Sequence, residues 1–293
     1  MHMDRIQDNV RMTARVGQQM GQYGLLCLLG LGHYSEAYLG EHVDLKSLCV
    51  VKVLQTRLLH DLLDSYLEET RRLAELAHPH IVRVLDSGVE NNIPFLVMDY
   101  APNGTLREYY PGGPSHSLTA ILPHINQAAA ALQYAHDHGF IHENVRPENM
   151  LLGLNNEVLL SDFNINAVAL SRRHWGLKEV TGSVAYSAPE QMLGKPCLAS
   201  DQYALGFVIY EWLSGEHPYR GSFIEIAHQQ LRVPPPPLRR KVPQISRDVE
   251  EVIMTAIAKD PRQRFAKVSA FVNALEQALP TSGRDKSGPY AII

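Results

Sequence analysis

HENVRPEN, residues 142–149, is the stretch of sequence on which the assignment of fold and function depends. It lies between a long alanine-rich segment, residues 119–139, and a second short motif, SDFN, at residues 161–164. Either motif alone is too short to identify a fold. Their meaning therefore comes from the sequence on both sides and from the order of the motifs around them.

The chain before this stretch has the pattern of an antiparallel β-sheet. Short apolar runs between residues 23 and 100, separated by glycines or charged turns, predict strands. One segment differs: residues 58–77 repeat leucines and carboxylates at helical spacing. They predict a helix that ends at His78-Pro79.

After the turn at residues 101–106 the pattern becomes mainly helical. Residues 119–139 predict a helix stopped by Gly139. Residues 200–215 predict a helix capped by Ser200 or Asp201 and closed by Gly215. Two amphipathic helices are predicted further on, over residues 247–260 and 268–279.

The order of the motifs along the chain carries the identification. Gly30-x-Gly32 lies between two strands, Lys52 lies on the next strand, and Glu69 lies on the predicted helix. HENVRPEN, SDFN and SAPEQ (187–191) follow. In this order the motifs resemble those of the protein kinase family over residues 23–279. RPEN and APEQ are most similar to the bacterial eukaryotic-like (Hanks-type) Ser/Thr kinases.

The resemblance implies an α+β, bilobal protein-kinase-like fold. The N-lobe would hold a small antiparallel sheet with one key helix, and the larger C-lobe would be mainly helical. The expected divisions are an N-terminal extension (1–22), the N-lobe (23–100), the C-lobe (101–279) and a C-terminal tail (280–293).

The resemblance also implies ATP and Mg²⁺ as cofactors. In that family a glycine-rich loop covers the ATP phosphates, and a strand lysine held by a helical glutamate reaches two of them. An asparagine and an aspartate hold the magnesium. In this order the roles fall on Gly30 and Gly32, Lys52, Glu69, Asn149 and Asp162.

An apolar slot for adenine is expected between the strands and the segment that follows them. The family usually has valine where this chain has Ala37, and alanine where it has Val50, so the pocket volume is roughly kept. The other implied pocket positions are Ser35 in place of the third loop glycine, the gatekeeper Met98, Asp99 and Ala101 of the hinge, and Leu151 as the floor.

The main departure from the family pattern is Asn144. It stands where the family has the aspartate that accepts the proton of the substrate hydroxyl. An amide can orient a hydroxyl but cannot take its proton near neutral pH. General-base assistance is worth about 10²–10⁴-fold, or roughly 3–5 kcal/mol of barrier. Because the transition state is loose, positioning alone can leave a residual rate.

Three further changes lie near Asn144. Glu143 replaces an arginine that grips an activation-loop phosphate in many family members, so we expect that mode of activation to be absent. Glu143 is a less favoured alternative base, since its side chain should point away from the nucleotide. Arg146 replaces a lysine, which keeps the charge but changes the donor geometry. Asn164 replaces the glycine of the D-F-G motif and stiffens a hinge.

The framework positions, by contrast, match the family. Glu190 and Arg264 match a buried ion pair, and Asp201 would anchor the loop that carries Asn144. An apolar stack that joins the two lobes is matched by Leu73, Val84, His142 and Phe163.

Composition limits the class of protein. A hydrophobic fraction of 45% with 20% charged residues is typical of globular domains, and a net charge of −4 argues against nucleic-acid binding. The longest apolar run is too short to span a bilayer, and residues 1–20 lack the apolar core of a signal peptide. Three cysteines without close pairing suit reduced thiols. We therefore expect a cytoplasmic protein with no membrane span in this chain.

Two compositional features suggest other roles. Fourteen histidines raise the possibility of a metal site, but no cysteine or carboxylate stands at zinc-ligand spacing, so structural or surface histidines are favoured. VPPPPLRR, residues 233–240, predicts polyproline-II and could bind a polyproline-recognition module. A stiff connector between helices is the favoured interpretation.

Three hypotheses follow. The leading one is a pseudokinase that binds Mg-ATP, transfers little or no phosphate, and regulates or scaffolds a protein partner, with an active kinase as one candidate. The second is a slow or unconventional Ser/Thr kinase that uses Asn144 for positioning and Arg146 for charge. The third is a nucleotide-free interaction module in which Val50 or Asn164 blocks the pocket.

Overall fold

A computed structural model describes residues 15–32, 35–55, 60–113, 115–163 and 184–279. The chain divides into two compact units, residues 1–104 with 151–180 and residues 105–150 with 181–293. Most of the expected N-terminal extension, the tail over residues 280–293, and Asn164 lie outside the described residues.

The first unit is built on a six-stranded antiparallel sheet in the order β1-β2-β3-β4-β6-β5. Its strands are β1 (Gln19–Met20), β2 (Tyr23–Leu31), β3 (Ser35–His42), β4 (Leu48–Leu54), β5 (Val84–Glu90) and β6 (Ile93–Asp99). A two-stranded sheet contains β7 (Met150–Leu152) and β8 (Val158–Leu160).

The alternation of side chains along the strands decides which face of the large sheet is buried. On β4, Val51 and Val53 are 0% and 1% exposed, while Lys52 between them points to the opposite face. Tyr38 of β3 and Val97 of β6 pack with these valines in one core. The strand pattern thus directs the Lys52 side chain away from the core.

A two-residue turn joins β5 to β6. Glu90 pairs with Ile93, and the two residues between them, Asn91 and Asn92, have φ of 51° and 63°. Tight hairpins favour left-handed residues at both central positions, and asparagine tolerates that conformation better than most side chains.

The helix predicted over residues 58–77 is present as α1 (His60–Ala74), which packs against β5. It ends before the predicted stop at His78-Pro79. Its last turn tightens, with the Leu76 N–H donating to the Leu73 carbonyl at 3.1 Å. The chain therefore leaves the helix before proline could interrupt it.

The second unit is helical. Its helices are α2 (Leu106–Tyr109), α3 (Leu118–Asp137), α4 (Pro189–Met192), α5 (Leu198–Ser214), α6 (Phe223–Arg232), α7 (Arg247–Ala256) and α8 (Val268–Gln277). Its 3₁₀ turns cover Pro147–Asn149, Leu238–Arg240 and Pro261–Gln263.

Helix α5 forms the centre of the second unit. Every residue from Ser200 to Leu213 is buried, because α3, α7 and α8 pack against it. A helix that is apolar on nearly all sides is stable only when it is covered in this way.

The ends of the helices show where local sequence signals were sufficient. Gly139 after α3 and Gly215 at the end of α5 have φ of 79° and 76°, which confirms both predicted stops. The predicted start of α5 was wrong. The helix begins at Leu198, and the Ser200 hydroxyl accepts the Cys197 N–H at 3.0 Å from within the first turn. The Asp201 carboxylate does not cap the helix, because it accepts hydrogen bonds from the backbone of His142 and Glu143.

Candidate functional site

In the first unit, Lys52 and Asp162 form an ion pair. The Lys52 ammonium lies 2.6 Å from Asp162 Oδ1, and the two side chains are 13% and 31% exposed. Asp162 follows β8 with φ of 63°, a left-handed conformation that costs energy for an aspartate. The fold therefore brings together a cation and a carboxylate that are 110 residues apart in sequence.

Glu69 lies outside this pair. Its carboxylate accepts a hydrogen bond from Arg72 at 2.9 Å, one turn further along α1. The expected Lys52–Glu69 ion pair is not formed in the structure, because each of the two side chains has a different partner. Lys52 is instead oriented by Asp162.

The structure describes the glycine-rich loop except for residues 33 and 34. The Gly32 N–H donates to the Ser35 carbonyl at 2.8 Å. A Cβ at Gly32 would lie 3.1 Å from Ser35 Oγ, so a larger residue fits poorly there. Gly30 pairs with Ala37 across the hairpin. Ser35 itself is buried.

The expected adenine-pocket residues lie on neighbouring strands. Ala37 pairs with Lys52, Val50 pairs with Met98, and Cys49 pairs with Asp99. This register places Ala37, Val50 and Met98 on adjacent strands, within one part of the sheet.

Leu151 and the hinge lie side by side in the same unit. On β7, the Leu152 N–H donates to the Gly104 carbonyl at 2.9 Å, and the Asn103 N–H donates to the Leu152 carbonyl at 3.2 Å. The Asn103 side-chain amide also donates to the Gly153 carbonyl at 2.7 Å and to Asn156 Oδ1 at 3.1 Å. Leu151 is thus held beside the segment that follows Asp99 and Ala101.

A small apolar cavity lies next to Met98 and Asp162. Three members of the expected stack, Leu73, Val84 and Phe163, are among the residues that line it. His142, the fourth, belongs to the second unit.

In the second unit, Asp201 holds the loop that carries Asn144. Its carboxylate, 1% exposed, accepts the N–H groups of His142 and Glu143 at 2.8 Å each. His136 contacts the same carboxylate through Nε2 at 2.7 Å. The expected anchoring role of Asp201 is confirmed by these bonds.

The backbone of Asn144 is fixed from two further sides. Its N–H donates to His142 Nδ1 at 3.1 Å, and its carbonyl accepts from the Asn149 amide at 2.8 Å. Glu143 before it has φ of 62°, and the Glu143 carbonyl accepts from Gln191 at 2.6 Å. The backbone at Asn144, where the resemblance leads us to expect a base, is therefore held by several hydrogen bonds.

Arg146 belongs to a network of charges that the sequence did not indicate. Arg146 Nε and Arg107 Nε each donate to Glu148 at 2.8 Å. Arg107 also donates to Glu211 at 2.7 Å and to the Tyr186 hydroxyl. Tyr186 in turn donates to Glu211. Helix α2, the loop and α5 are joined by this network.

Burial and charge act on this network in opposite directions. Burial alone would raise the pKa of Glu148, but hydrogen bonds from Arg146 and Arg107 outweigh it and hold that pKa below its usual range. Burial, followed by the charge of Glu211, raises the pKa of Tyr186 well above its usual value. Glu148 is therefore ionised near neutral pH, and Tyr186 keeps its proton as a donor.

The predicted ion pair between Glu190 and Arg264 is confirmed. Arg264 makes two parallel hydrogen bonds to the carboxylate, at 2.7 and 2.9 Å, and its own side chain is 0% exposed. Burial would raise the pKa of Glu190, but the bonds from Arg264 and Ser200 lower it below its usual range. The pair fixes the segment that begins α4.

Comparison with known proteins decides the family. A profile of the protein kinase domain matches residues 23–277. The chain belongs to the protein kinase family. The sheet of its first unit and the helices of its second confirm the fold class predicted from the order of the motifs.

Curated relatives of this kinase-family chain are named as Ser/Thr kinases. It is 34% identical over 276 residues to the serine/threonine-protein kinase Pkn1 of Myxococcus xanthus. It is 33% identical over 250 residues to PrkC of Bacillus subtilis and 35% identical over 254 residues to PknB of Mycobacterium leprae. The alignments cover 90%, 84% and 83% of this chain but only 39%, 38% and 41% of the relatives. The chain thus spans about two fifths of their length.

Two absences hold for the residues that the structure describes. None of the helices there is long and apolar enough to cross a membrane. Those residues also contain no cluster of three or more histidine, cysteine or acidic side chains able to hold a metal ion by themselves.

Proposed function

We propose that this kinase-family chain binds Mg-ATP and transfers phosphate to Ser or Thr hydroxyl groups slowly. The observation that carries the proposal is the loop at residues 142–149. Asp201 and Asn149 hold it in place, while an amide, Asn144, occupies the position of the base. The Ser/Thr kinase names of the relatives support activity.

The residue types in each unit fit the proposed cofactors. Asp162 and Asn149 offer carboxylate and amide oxygens, which suit Mg²⁺ together with phosphate oxygens and water. The Lys52 ammonium, already beside a carboxylate, suits a phosphate. Bound magnesium would supply charge neutralisation for the phosphates. Because Lys52 is paired with Asp162, its orientation in the structure does not depend on Glu69.

Asn144 would act by orientation. Its amide oxygen can accept a hydrogen bond from a substrate hydroxyl and hold it in line, but it cannot remove the proton. A loose transition state develops little need for a strong base early in the reaction. We therefore expect a rate lower by about 10²–10⁴-fold than that of a relative with an aspartate at this position.

A second candidate function is a pseudokinase that binds Mg-ATP without measurable transfer. The observation that favours it is Glu69, which is bonded to Arg72 and not to Lys52. In this case the nucleotide would set the conformation of a surface that regulates or scaffolds a protein partner, an active kinase among the candidates.

One preparation can test both candidates. The purified chain is titrated with ATP in the presence and absence of Mg²⁺, and the same sample is then incubated with Mg-ATP and analysed for phosphorylated residues by mass spectrometry. The slow kinase is supported by phosphate incorporation that disappears in Lys52→Ala and in Asp162→Ala, since a contaminating kinase would not respond to either change.

The remaining outcomes are equally informative. Mg-dependent ATP binding without incorporation supports the pseudokinase and rejects the slow kinase. No binding at millimolar ATP rejects both candidates and leaves a nucleotide-free interaction module.

A further inference from the structure

The segment VPPPPLRR, residues 233–240, takes no part in the proposed phosphotransfer. It begins directly after α6 and ends in the 3₁₀ turn Leu238–Arg240. Its four consecutive prolines fix the backbone in a way that few other sequences do.

The sequence dictates a polyproline-II backbone here. Each proline ring holds φ near −65°, and residues 233 to 236 each precede a proline, which restricts ψ to extended values. The structure agrees at both ends: Val233 has φ −99° and ψ 122°, and Pro237 has φ −53° and ψ 131°. The segment therefore has the left-handed repeat of about three residues per turn.

A threefold repeat places every third residue on the same edge of the helix. Pro235 and Leu238, three residues apart, are both buried in the second unit, Leu238 with 0% exposure. Pro234 and Pro237, on the next edge, are both exposed. On the remaining edge, Val233 is 38% exposed and Pro236 is partly exposed. One edge thus packs inward and two edges face outward.

The segment is held rigid by the fold beneath it. The Tyr210 hydroxyl donates to the Pro236 carbonyl at 3.1 Å, and the Tyr219 hydroxyl donates to the Val233 carbonyl. The Arg239 N–H donates to Glu250 at 2.7 Å. A partner would therefore meet a helix that has already lost its conformational entropy.

Positive charge follows the exposed prolines. The side chains of Arg239 and Arg240 are exposed, and neither guanidinium is paired with a carboxylate within the described part of the chain. The outward-facing residues are therefore Val233 and Pro234, then Pro236 and Pro237, and then Arg239. Among them, Pro234, Pro237 and Arg239 have the spacing Pro-x-x-Pro-x-Arg. The three unspecified positions of this spacing are Pro235, Pro236 and Leu238, and two of them, Pro235 and Leu238, are buried.

We infer that the exposed edges of residues 233–240 form a docking site for a proline-recognition domain. The partner would have two adjacent grooves lined by aromatic side chains, one for Val233-Pro234 and one for Pro236-Pro237, with an acidic pocket for Arg239. Modules of this kind bind polyproline-II ligands because the ligand is extended and already ordered. The inference does not depend on phosphotransfer.

The test uses the full chain and a purified SH3 domain that binds Pro-x-x-Pro-x-Arg peptides, with binding measured by isothermal titration calorimetry. We expect saturable binding in the micromolar range. Affinity should fall about tenfold or more, equivalent to about 1.4 kcal/mol, in Arg239→Glu and in the double variant Pro234→Ala/Pro237→Ala. Arg247→Glu, the same charge change at an exposed arginine on α7, should bind like the unchanged protein.

A peptide of residues 231–242 separates docking from a merely structural connector. Binding of both the peptide and the full chain supports the inference. If only the peptide binds, the inference is overturned, because the fold then blocks the two edges. If neither the peptide nor the full chain binds, the inference is also overturned. Equal binding by Arg239→Glu and Arg247→Glu also overturns it. Thermal unfolding of each variant checks whether the fold is retained, and Arg239→Glu tests the charge without altering a proline.

Discussion

Asn144 differs from an aspartate by one group, an amide nitrogen in place of a carboxylate oxygen. Its backbone is held on three sides by bonds to His142, Asn149 and the loop anchored on Asp201. An aspartate at this position would thus enter a backbone that is already in place. Under the proposed function, the amide of Asn144, and not the shape of the loop, would lower the rate of phosphotransfer.

We predict that Asn144→Asp restores at most weak phosphotransfer. The new carboxylate could accept a proton, but Glu143 and Arg146 remain changed from the family pattern. The gain should fall below the full general-base effect of about 10²–10⁴-fold. The gain is measured by mass spectrometry as the amount of phosphate incorporated per hour. Asn144→Asp/Lys52→Ala is the inactive control. Transfer at the rate of an ordinary kinase would show that Asn144 alone limits this chain.

Lys259 is a half-buried amine whose titration should affect stability. Its ammonium donates to the Tyr203 hydroxyl at 2.8 Å and lies over the Tyr203, Phe207 and Tyr219 rings. Burial, and then repulsion from Arg264, lowers the pKa of Lys259 to about 7. The rings oppose this shift by stabilising the charged form.

The sign of the pH effect follows from proton counting. Between the lowered pKa of Lys259 and its unfolded value of 10.5, the unfolded chain holds more protons than the folded one. The free energy of unfolding should therefore rise from pH 7 to 8.5. In Lys259→Met this rise should largely vanish, as measured by urea unfolding at each pH. Parallel curves for the two proteins would mean that the rings keep Lys259 charged.

At the scale of single elements, the β5–β6 turn depends on two left-handed residues. Asn92→Val places a β-branched side chain at φ of 63°, which we expect to destabilise the fold by about 1–2 kcal/mol. Asn92→Gly adopts the same conformation without strain and should be neutral or slightly stabilising. Chemical denaturation measures both. Equal stabilities of the valine and glycine variants would contradict the turn geometry.

Helix α2 is only four residues long, yet its Arg107 joins α5 and the loop at residues 142–149. Arg107→Gln leaves Glu211, whose side chain is 9% exposed, without its cationic partner. We expect the free energy of unfolding to fall by about 3 kcal/mol. The double variant Arg107→Gln/Glu211→Gln should recover part of this loss, because it removes the unpaired charge. Arg247→Gln, at an exposed position, should change stability by less than about 0.5 kcal/mol. If Arg107→Gln loses no more stability than Arg247→Gln, the network does not contribute measurably to the stability of the fold.

For the molecule as a whole, nucleotide binding should be visible as thermal stabilisation. A ligand at 100 times its Kd that binds only the folded state contributes about 2.7 kcal/mol. We expect Mg-ATP to raise the Tm by several degrees and ATP alone to raise it less. In Asp162→Asn the difference made by Mg²⁺ should disappear, because the carboxylate proposed to hold the metal is gone. An unchanged Mg²⁺ effect would assign the metal to other residues.

The fold was predictable because its signals are local and occur in a fixed order. The strand that carries Lys52 and the glycine stops at 139 and 215 were predicted from local patterns, and the Glu190–Arg264 pair was predicted from the resemblance to the family. The network around Arg107 was not predicted, since Glu148 and Glu211 lie 41 and 104 residues away from it and none of the family motifs quoted above includes Arg107. The Glu69–Arg72 bond was missed for a different reason: the family pattern specified Lys52 as the partner of Glu69, and only the structure shows that Glu69 bonds to Arg72.

The turn at Asn103 sets a limit on the chemical lifetime of the purified protein. An asparagine followed by glycine is prone to spontaneous deamidation, because the glycine leaves its own amide nitrogen accessible for ring closure. Here the Asn103 amide is held by the Gly153 carbonyl and Asn156 Oδ1, which keeps it from rotating toward Gly104. Once converted to aspartate, the side chain would present a negative oxygen to two acceptors and push β7 away from the hinge. These bonds slow deamidation, and a sample in which it has nevertheless occurred will carry a more acidic species with a loosened hinge.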